Sequence, residues 1–291
     1  MMYITLLRKL YSLLFLLSYT CLSTVSYADD KPASLSLGFP LSYLSATDAL
    51  NKYTPLTNYL TQQIGIPISI TASNYSTHLQ LVGEDKLDLA FMSGSLYIEM
   101  VDKYQHTVPL LARYTINHQP ALYSVLFTTT KNPIQNLNQL VGKKIAFGEK
   151  NSNLGTKVPY YVLSQAGITL DKLSAYDFLD NHRNVMYGVL MGEYDAGALP
   201  AEVFDENKDK GLKILAMSPA VSSHLLVSRR DLDIRLIQQL QQALYTLNQL
   251  PEGQKILNAI GKNITGFVPA TDSDYDSLRE ILQQAKALDA R

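Results

Sequence analysis

The chain has 291 residues, 25 Lys and Arg against 26 Asp and Glu, and one cysteine. The near-neutral charge, with no basic stripe, argues against nucleic-acid binding, and a single cysteine excludes an internal disulfide framework. A chain of this length is too long for one simple core and favours two lobes.

The first 28 residues have the pattern of a secretory signal peptide. Two basic residues precede a mostly apolar run, residues 10–22, and Ser26-Tyr27-Ala28 fits the small-x-small cleavage pattern. The run is too short and too rich in Ser and Thr for a membrane anchor, which needs about 20 apolar residues. Removing 28 of the 291 residues leaves 263, with 23 basic and 26 acidic side chains and a net charge of −3. We therefore predict export to the periplasm, with a lipoprotein anchored at Cys21 as the alternative.

Strand and helix patterns alternate along the rest of the chain. Strands are predicted at residues 35–39, 66–72, 87–92, 108–114, 123–129, 145–148, 175–179, 194–199, 212–216 and 224–228. Helices are predicted at residues 48–64, 77–83, 95–104, 134–140, 158–166, 184–191, 234–249, 252–260 and 274–288. This order is typical of an α/β protein with largely parallel sheets.

Two strong strand patterns, at residues 123–129 and 224–228, bracket the middle of the chain. They predict two lobes joined by two crossing strands, in which residues 29–128 and 223–291 form lobe 1 and residues 129–222 form lobe 2. In sheets of this kind, ligands bind in a crevice outside the carboxyl ends of the strands. We therefore expect a binding site in the cleft between the lobes.

Residues 144–161, K-I-A-F-G-E-K-N-S-N-L-G-T-K-V-P-Y-Y, have the pattern of a strand, a polar loop and the start of a helix. The first N–H groups of a helix lack internal partners and carry partial positive charge, which suits an anion. Ser152, Asn153 and Thr156 add polar side chains, and Gly155 permits close backbone approach. The alternative is that Ser152 or Asn153 only caps the helix.

Other candidate ligand-binding residues also follow predicted strands. Ser93 and Gly94 open a helix in lobe 1, so two helix starts could face each other across the cleft. His182 and Arg183 precede another helix, where both could donate to an anion, and Tyr75 follows a strand. The alternatives are an ordinary turn, a surface pair at a helix start, and a half-buried aromatic ring.

Motifs of catalysis and metal binding do not occur in the sequence. Neither H-E-x-x-H nor G-x-S-x-G is present, and the five histidines are scattered. Paired carboxylates such as Glu202 and Asp205 fall at helix ends, where solvated charge is the default interpretation. We therefore predict a binding protein, not an enzyme, with no cofactor and no metal site.

Several segments occur in an order that is specific when taken together. They are A-S-N-Y (72–75), K-L-D-L-A-F-M-S-G (86–94), Y-S-V-L-F (123–127), F-G-E-K-N-S-N-L-G-T-K-V-P-Y-Y-V (147–162), Q-A-G-I (165–168), N-H (181–182), G-E-Y-D-A-G-A-L (192–199) and S-P-A-V-S-S-H-L-L-V (218–227). The chain thereby resembles the periplasmic phosphate/phosphite/phosphonate-binding proteins of ABC transporters, from about residue 36 to residue 285. The resemblance implies the α/β, two-lobed type 2 periplasmic binding protein fold, with two mixed, mostly parallel sheets joined by two hinge strands.

The resemblance also implies roles for individual residues. It implies that Tyr75, Ser152 and His182 bind an oxyanion. The typical loop of the family reads S-T-S-G, whereas this chain has S-N-L-G at residues 152–155 and loses two hydroxyls.

Two further positions depart from the family pattern. A second family tyrosine falls at Leu122, with Tyr123 beside it as a candidate, and the acidic residue that holds an aminophosphonate amine falls at His224. We expect His224 to donate to an anion instead, so aminophosphonates should bind worse than plain oxyanions.

The sequence thus predicts a periplasmic solute-binding protein that closes two lobes around a small phosphorus oxyanion. It would deliver this ligand to an inner-membrane ABC permease, would act as a monomer and would have no nucleic-acid partner. The alternative is a sensing protein with the same binding domain that signals to a separate membrane sensor.

Overall fold

Strands and helices alternate through residues 32–41 and 45–289, the ranges described in this computed structural model, with side chains described up to residue 286. The strands are β1 (Leu35–Pro40), β2 (Ile68–Ser73), β3 (Leu89–Met92), β4 (Leu110–Ile116), β5 (Ala121–Leu122), β6 (Ser124–Thr129), β7 (Lys144–Phe147), β8 (Ala175–Phe178), β9 (Ala196–Pro200), β10 (Leu212–Met217), β11 (Val221–Ser222), β12 (Leu225–Ser228) and β13 (Ile264–Val268). The helices are α1 (Ala46–Ile64), α2 (Tyr75–Gly83), α3 (Gly94–Tyr104), α4 (Val158–Gln165), α5 (His182–Leu190), α6 (Ala201–Asp205), α7 (Ile234–Thr246), α8 (Gly253–Ile260) and α9 (Asp276–Asp289). The predicted signal peptide lies outside the described residues.

Two mixed sheets form the centres of two lobes. The lobe 1 sheet has the order β13-β4-β12-β3-β1-β2, and the lobe 2 sheet has the order β10-β6-β9-β7-β8. Among the described strands, four pairings in these sheets are parallel and five are antiparallel. The sheets are therefore mixed as predicted, but the expectation that they would be mostly parallel is wrong. The strands that enter a sheet directly from the hinge, β6 and β12, run against their neighbours.

The lobes are joined by a third sheet of two short strands, β5 and β11. Leu122 pairs with Val221 and Ala121 pairs with Ser222 in antiparallel register. Strand β6 follows immediately and belongs to the lobe 2 sheet, where it pairs with β9 and β10. Residues 124–128 therefore lie with lobe 2, whereas the sequence had assigned them to lobe 1.

The last helix, α9, packs against both lobes. Leu278 and Ile281 lie in the apolar cluster that also contains Leu96 of lobe 1. Ala285 lies in the cluster formed around the lobe 2 sheet, and Gln165 of α4 donates to Gln284 at 2.6 Å. No helix among the described residues combines the length and hydropathy that a membrane span requires.

The parallel strands of both sheets direct polar loops toward the same region. In lobe 1, the loops after β2 and β3 carry Tyr75 and Ser93. In lobe 2, Ser152 lies in the loop after β7, and His182 and Glu202 lie at the starts of the helices that follow β8 and β9. Because carboxyl ends of parallel strands lie at one edge of a sheet, these loops form the walls of a shared cleft.

Candidate functional site

The cleft between the lobes has a volume of about 1470 Å³. Seven of the eleven predicted site residues line it, namely Tyr75, Ser93, Gly94, Ser152, Asn153, His182 and His224. The other four do not line it, namely Tyr123, Gly155, Thr156 and Arg183. Both lobes contribute, so the cleft can contact one ligand from two sides.

The lobe 2 wall begins with a single helical turn, Asn153–Lys157, that continues into α4. Ser152 caps this turn, because its Oγ accepts a hydrogen bond from the Gly155 N–H at 3.0 Å. N–H groups at the start of a helical segment have no acceptor within it, and Asn153 and Leu154 both line the cleft. Ser152 therefore caps the turn, as one of the two alternatives predicts, while anion binding by the turn stays a prediction.

Asn153 also contacts the opposite lobe. Its Nδ2 donates to Ser95 Oγ at 3.0 Å, and Ser95 Oγ lies 3.2 Å from Ser93 Oγ. Its Oδ1 is buried and has no hydrogen-bond partner within the described part of the chain. A polar atom buried in this way is costly unless a ligand satisfies it, so Asn153 has bonding capacity left for a molecule in the cleft.

His182 is the first residue of α5 and is capped by Asn181, whose Oδ1 accepts from the Asn184 N–H at 2.9 Å. Burial lowers the pKa of His182, so the imidazole is neutral near pH 7. Its Nδ1 is buried without a partner among the described residues. Arg183 is exposed and is not among the residues that line the cleft. Consecutive helical residues point about 100° apart, so His182 and Arg183 do not share one direction.

His224 occupies the hinge side of the cleft, directly before β12. Its ring is exposed and lies parallel to the ring of Phe91, with 5.6 Å between centroids and 6° between planes. Desolvation inside the cleft lowers the pKa of His224 to about 4. The neutral imidazole therefore predominates at physiological pH, and donation from His224 to an anion stays a prediction.

Tyr75 lies at the start of α2, on the lobe 1 side. Its hydroxyl donates to Glu99 Oε2 at 2.8 Å. Both side chains line the cleft. The phenol is thereby oriented by a carboxylate of α3.

Three more of the predicted site residues do not line the cleft. A Cβ on Gly155 would lie 3.2 Å from Gly148 Cα and 3.0 Å from Ser152 Oγ, so this glycine permits backbone packing rather than ligand approach. Thr156 is buried, and its hydroxyl donates to the carbonyls of Gly148 (3.2 Å) and Glu149 (2.9 Å), which ties the loop to the turn. The cleft is lined by Leu122 rather than Tyr123.

Sequence reasoning missed Glu202, which lines the cleft from the first turn of α6. Desolvation raises the pKa of its carboxyl group, and the nearby charges of Glu206 and Asp205 raise it further. Its position directly after β9, a strand parallel to β7, was the available signal. A carboxyl group here can accept from an acidic hydroxyl or from an ammonium group. No group of three or more His, Cys, Asp or Glu side chains in the described ranges is arranged to hold a metal ion.

Comparisons with known proteins agree with this architecture. The sequence profile of the family described as "ABC transporter, phosphonate, periplasmic substrate-binding protein" matches residues 39–275. The phosphonates-binding periplasmic protein of Escherichia coli K12 is 25% identical over 260 residues, which cover 84% of this chain and 75% of that protein.

Solved structures show the same fold. PhnD1 from Prochlorococcus marinus MIT 9301, in complex with methylphosphonate, matches with a TM-score of 0.68 and 20% identity over 88% of this chain and 99% of that one. XAC2383 from Xanthomonas citri, bound to ATP, matches with a TM-score of 0.70 and 18% identity over the same shares. These likenesses confirm the predicted two-lobed α/β fold of the type 2 periplasmic binding proteins.

Proposed function

The chain belongs to the family of periplasmic substrate-binding proteins of phosphonate ABC transporters, and from this premise we propose that it captures a phosphorus oxyanion in its cleft for import. The observation that carries the proposal is the position of the Ser152–Asn153 turn and His182 opposite Ser93 and Ser95, in one cleft. Hydroxyl, amide and imidazole donors from two lobes suit a tetrahedral oxyanion, which accepts in several directions.

Around the Ser152–Asn153 turn the proposed contacts are dipoles and neutral groups. The cationic side chains of Lys103, Lys157, Arg279 and Lys286 also line the cleft. The turn at Asn153 contributes N–H groups and the positive end of the α4 dipole. His182 is neutral, so it donates from only one nitrogen. Glu202 faces the same cleft and favours a ligand that carries a proton or an ammonium group. An oxyanion that retains one acidic hydroxyl satisfies both kinds of group at once.

A calorimetric titration with phosphate, phosphite, methylphosphonate, 2-aminoethylphosphonate and sulfate tests this proposal. We expect at least one phosphorus oxyanion to bind and sulfate, which has no acidic hydroxyl at neutral pH, to bind more weakly. Ligand at 100 times its dissociation constant should stabilise the fold by about 2.7 kcal/mol. Absence of binding and of thermal stabilisation for every phosphorus compound would refute the proposal.

We further propose that the exported protein begins at Asp29, acts as a monomer and presents its closed form to an inner-membrane permease. Family membership and the Ser26-Tyr27-Ala28 pattern support the first point. The intact mass of the exported protein tests the cleavage site, and light scattering tests the monomer. A mass corresponding to an acylated chain that starts at Cys21 would contradict cleavage after Ala28.

A further inference from the structure

At the hinge side of the cleft, the accessible aromatic ring is that of His224, which packs on other rings. Phe39, Tyr53 and Phe91 line the cleft but are only 3%, 5% and 7% exposed, so they contribute little open surface. His224 is exposed and lies parallel to Phe91. The accessible aromatic surface of this part of the cleft is therefore mainly the imidazole of His224.

The rings beneath His224 form a continuous packed cluster. The ring centroids of Phe39 and Tyr53 are 4.0 Å apart, and those of Phe91 and Tyr114 are 5.1 Å apart. Tyr114 also lies 6.3 Å from the His224 ring. Aromatic pairs at such distances contribute packing energy beyond area burial. The rings beneath His224 are therefore held in place by their mutual contacts.

The backbone at His224 is equally well held. Its carbonyl accepts from the Tyr114 N–H at 3.0 Å. The preceding Ser223 donates its hydroxyl to the Tyr114 carbonyl at 2.7 Å, and the Tyr275 hydroxyl donates to the Ser223 carbonyl at 3.2 Å. The imidazole is thus presented to the cleft from a fixed position.

The chemistry of His224 suits a flat apolar contact better than an anion contact. No hydrogen bond to its ring nitrogens from another described residue orients the ring toward a charge, and its contacts are the rings of Phe91 and Tyr114. Desolvation keeps the imidazole neutral at physiological pH. A neutral imidazole stacked on a phenyl ring offers a π face to whatever lies above it.

The cleft has room for a ligand with an organic group. Its volume of about 1470 Å³ exceeds the ~300–1,000 Å³ of typical small-molecule sites. An inorganic oxyanion held at the Ser152–Asn153 turn would leave the His224 side of this space unfilled. His224 lines the same cleft on its hinge side, which makes it a second contact region for the same ligand.

We propose that the ring of His224, packed on Phe91, forms a stacking subsite for a planar aromatic or heteroaromatic group attached to the bound phosphorus oxyanion. The proposal rests on the proposed function, because it places the oxyanion at the Ser152–Asn153 turn and its organic substituent at the hinge. The ligand class is an organic phosphonate or phosphate monoester that carries a flat ring.

Calorimetric titrations with methylphosphonate, phenylphosphonate, phenyl phosphate and cyclohexylphosphonate test the subsite. We expect a phenyl ligand to bind about three- to tenfold tighter than cyclohexylphosphonate, the range that aromatic pairing supports beyond the burial of apolar area. Cyclohexylphosphonate has a similar volume but no π system, so it should not gain this advantage. Tighter binding of phenylphosphonate would identify the preferred ligand as a phosphonate, and tighter binding of phenyl phosphate would identify it as a phosphate monoester.

Variants of His224 separate stacking from other effects. His224→Phe keeps a flat ring and should keep the ratio of phenyl to cyclohexyl affinity, whereas His224→Ala should reduce that ratio to about one. Because each ratio is taken within one variant, a general loss of affinity or stability cancels. Equal binding of all phosphonates by the wild type, or an unchanged ratio in His224→Ala, would overturn the subsite alone. Binding of none of the four compounds would overturn the subsite, and the titrations with phosphate and phosphite would then decide whether the proposed function stands.

Discussion

Asn153 of lobe 2 and Ser95 of lobe 1 are joined across the cleft by a hydrogen bond of 3.0 Å from the amide Nδ2 to the hydroxyl Oγ. The bond links the turn that forms one wall directly to the helix α3 that forms the other. Because it spans the two lobes, it can form only when they are close together. A contact of this kind favours the closed arrangement before any ligand arrives.

Ser95→Ala should therefore shift the ligand-free protein toward an open form. A single neutral hydrogen bond contributes about 0.5–1.5 kcal/mol, so the ratio of closed to open molecules should fall by up to about tenfold. Small-angle scattering should show a larger radius of gyration in the variant than in the wild type. The control is Ser174→Ala, an exposed serine at the amino end of β8, away from the cleft edge of the sheet. An equal radius for Ser95→Ala and wild type would show that the bond does not control closure.

Substitutions of Ser152 and of Gly155 should have different effects on oxyanion binding and on stability. Ser152→Ala removes the cap of the turn and one cleft hydroxyl, so we expect weaker oxyanion binding and a stability loss of about 0.5–2 kcal/mol. Gly155→Ala adds a Cβ against Gly148 and should cost about 1–3 kcal/mol of unfolding free energy through overpacking. Urea unfolding and calorimetric titration distinguish the two variants. A Gly155→Ala protein with wild-type stability would show that Gly148 can move aside.

Glu202 should control binding of ligands that carry an ammonium group. It is a cleft carboxyl group, so the expectation that aminophosphonates bind poorly, which rested on His224 alone, needs revision. We expect Glu202→Gln to weaken 2-aminoethylphosphonate by tenfold or more relative to methylphosphonate, because a buried ammonium without a partner is costly. Titration of both ligands into both proteins measures this ratio. A ratio that does not change would place the amine away from Glu202.

His78 should make the fold sensitive to acid. It is fully buried, its Nε2 donates to the Phe91 carbonyl at 3.0 Å, and burial lowers its pKa to about 4. Between the unfolded value of about 6.5 and this value, the unfolded chain binds a proton that the folded chain does not. The free energy of unfolding should therefore fall by about 3 kcal/mol from this residue as the pH drops from 6.5 to 4.

His78→Gln keeps a donor for the Phe91 carbonyl but does not titrate, so its stability should depend less on pH. Urea unfolding of both proteins at pH 7 and pH 4.5 isolates the contribution of His78, since His182 and His224 change stability in the same direction in both. Parallel loss of stability in the two proteins would show that His78 is not the group responsible.

Local patterns predicted most of the fold because buried central strands are apolar runs. Leu89–Met92 is of this kind, whereas Leu35–Pro40 was recognised from its alternating pattern. The strand Ile264–Val268 was missed, since Thr265 and Gly266 weaken its apolar pattern. The antiparallel direction of β6 and β12 depends on how the chain crosses between the lobes, which no local pattern encodes.

The candidate site was predictable in position but not in side-chain direction. Polar residues after strands were found, since the carboxyl edge of a sheet is known once the strands are known. Whether Thr156 points to the cleft or to the loop behind it depends on the packing of Gly148 against Gly155. In the sequence, Glu202 cannot be distinguished from a solvated carboxylate. It lies in a cleft only because the other lobe faces it across that space.

The packing of α9 on both lobes has a mechanical consequence. The helix rests on lobe 1 through Leu278 and Ile281 and on lobe 2 through Ala285 and Gln284. Any rotation about the β5–β11 hinge must therefore strain or slide one of these two contacts. A movement of the lobes thus changes the environment of α9. A fluorophore attached to α9 would therefore report ligand binding as a change in fluorescence.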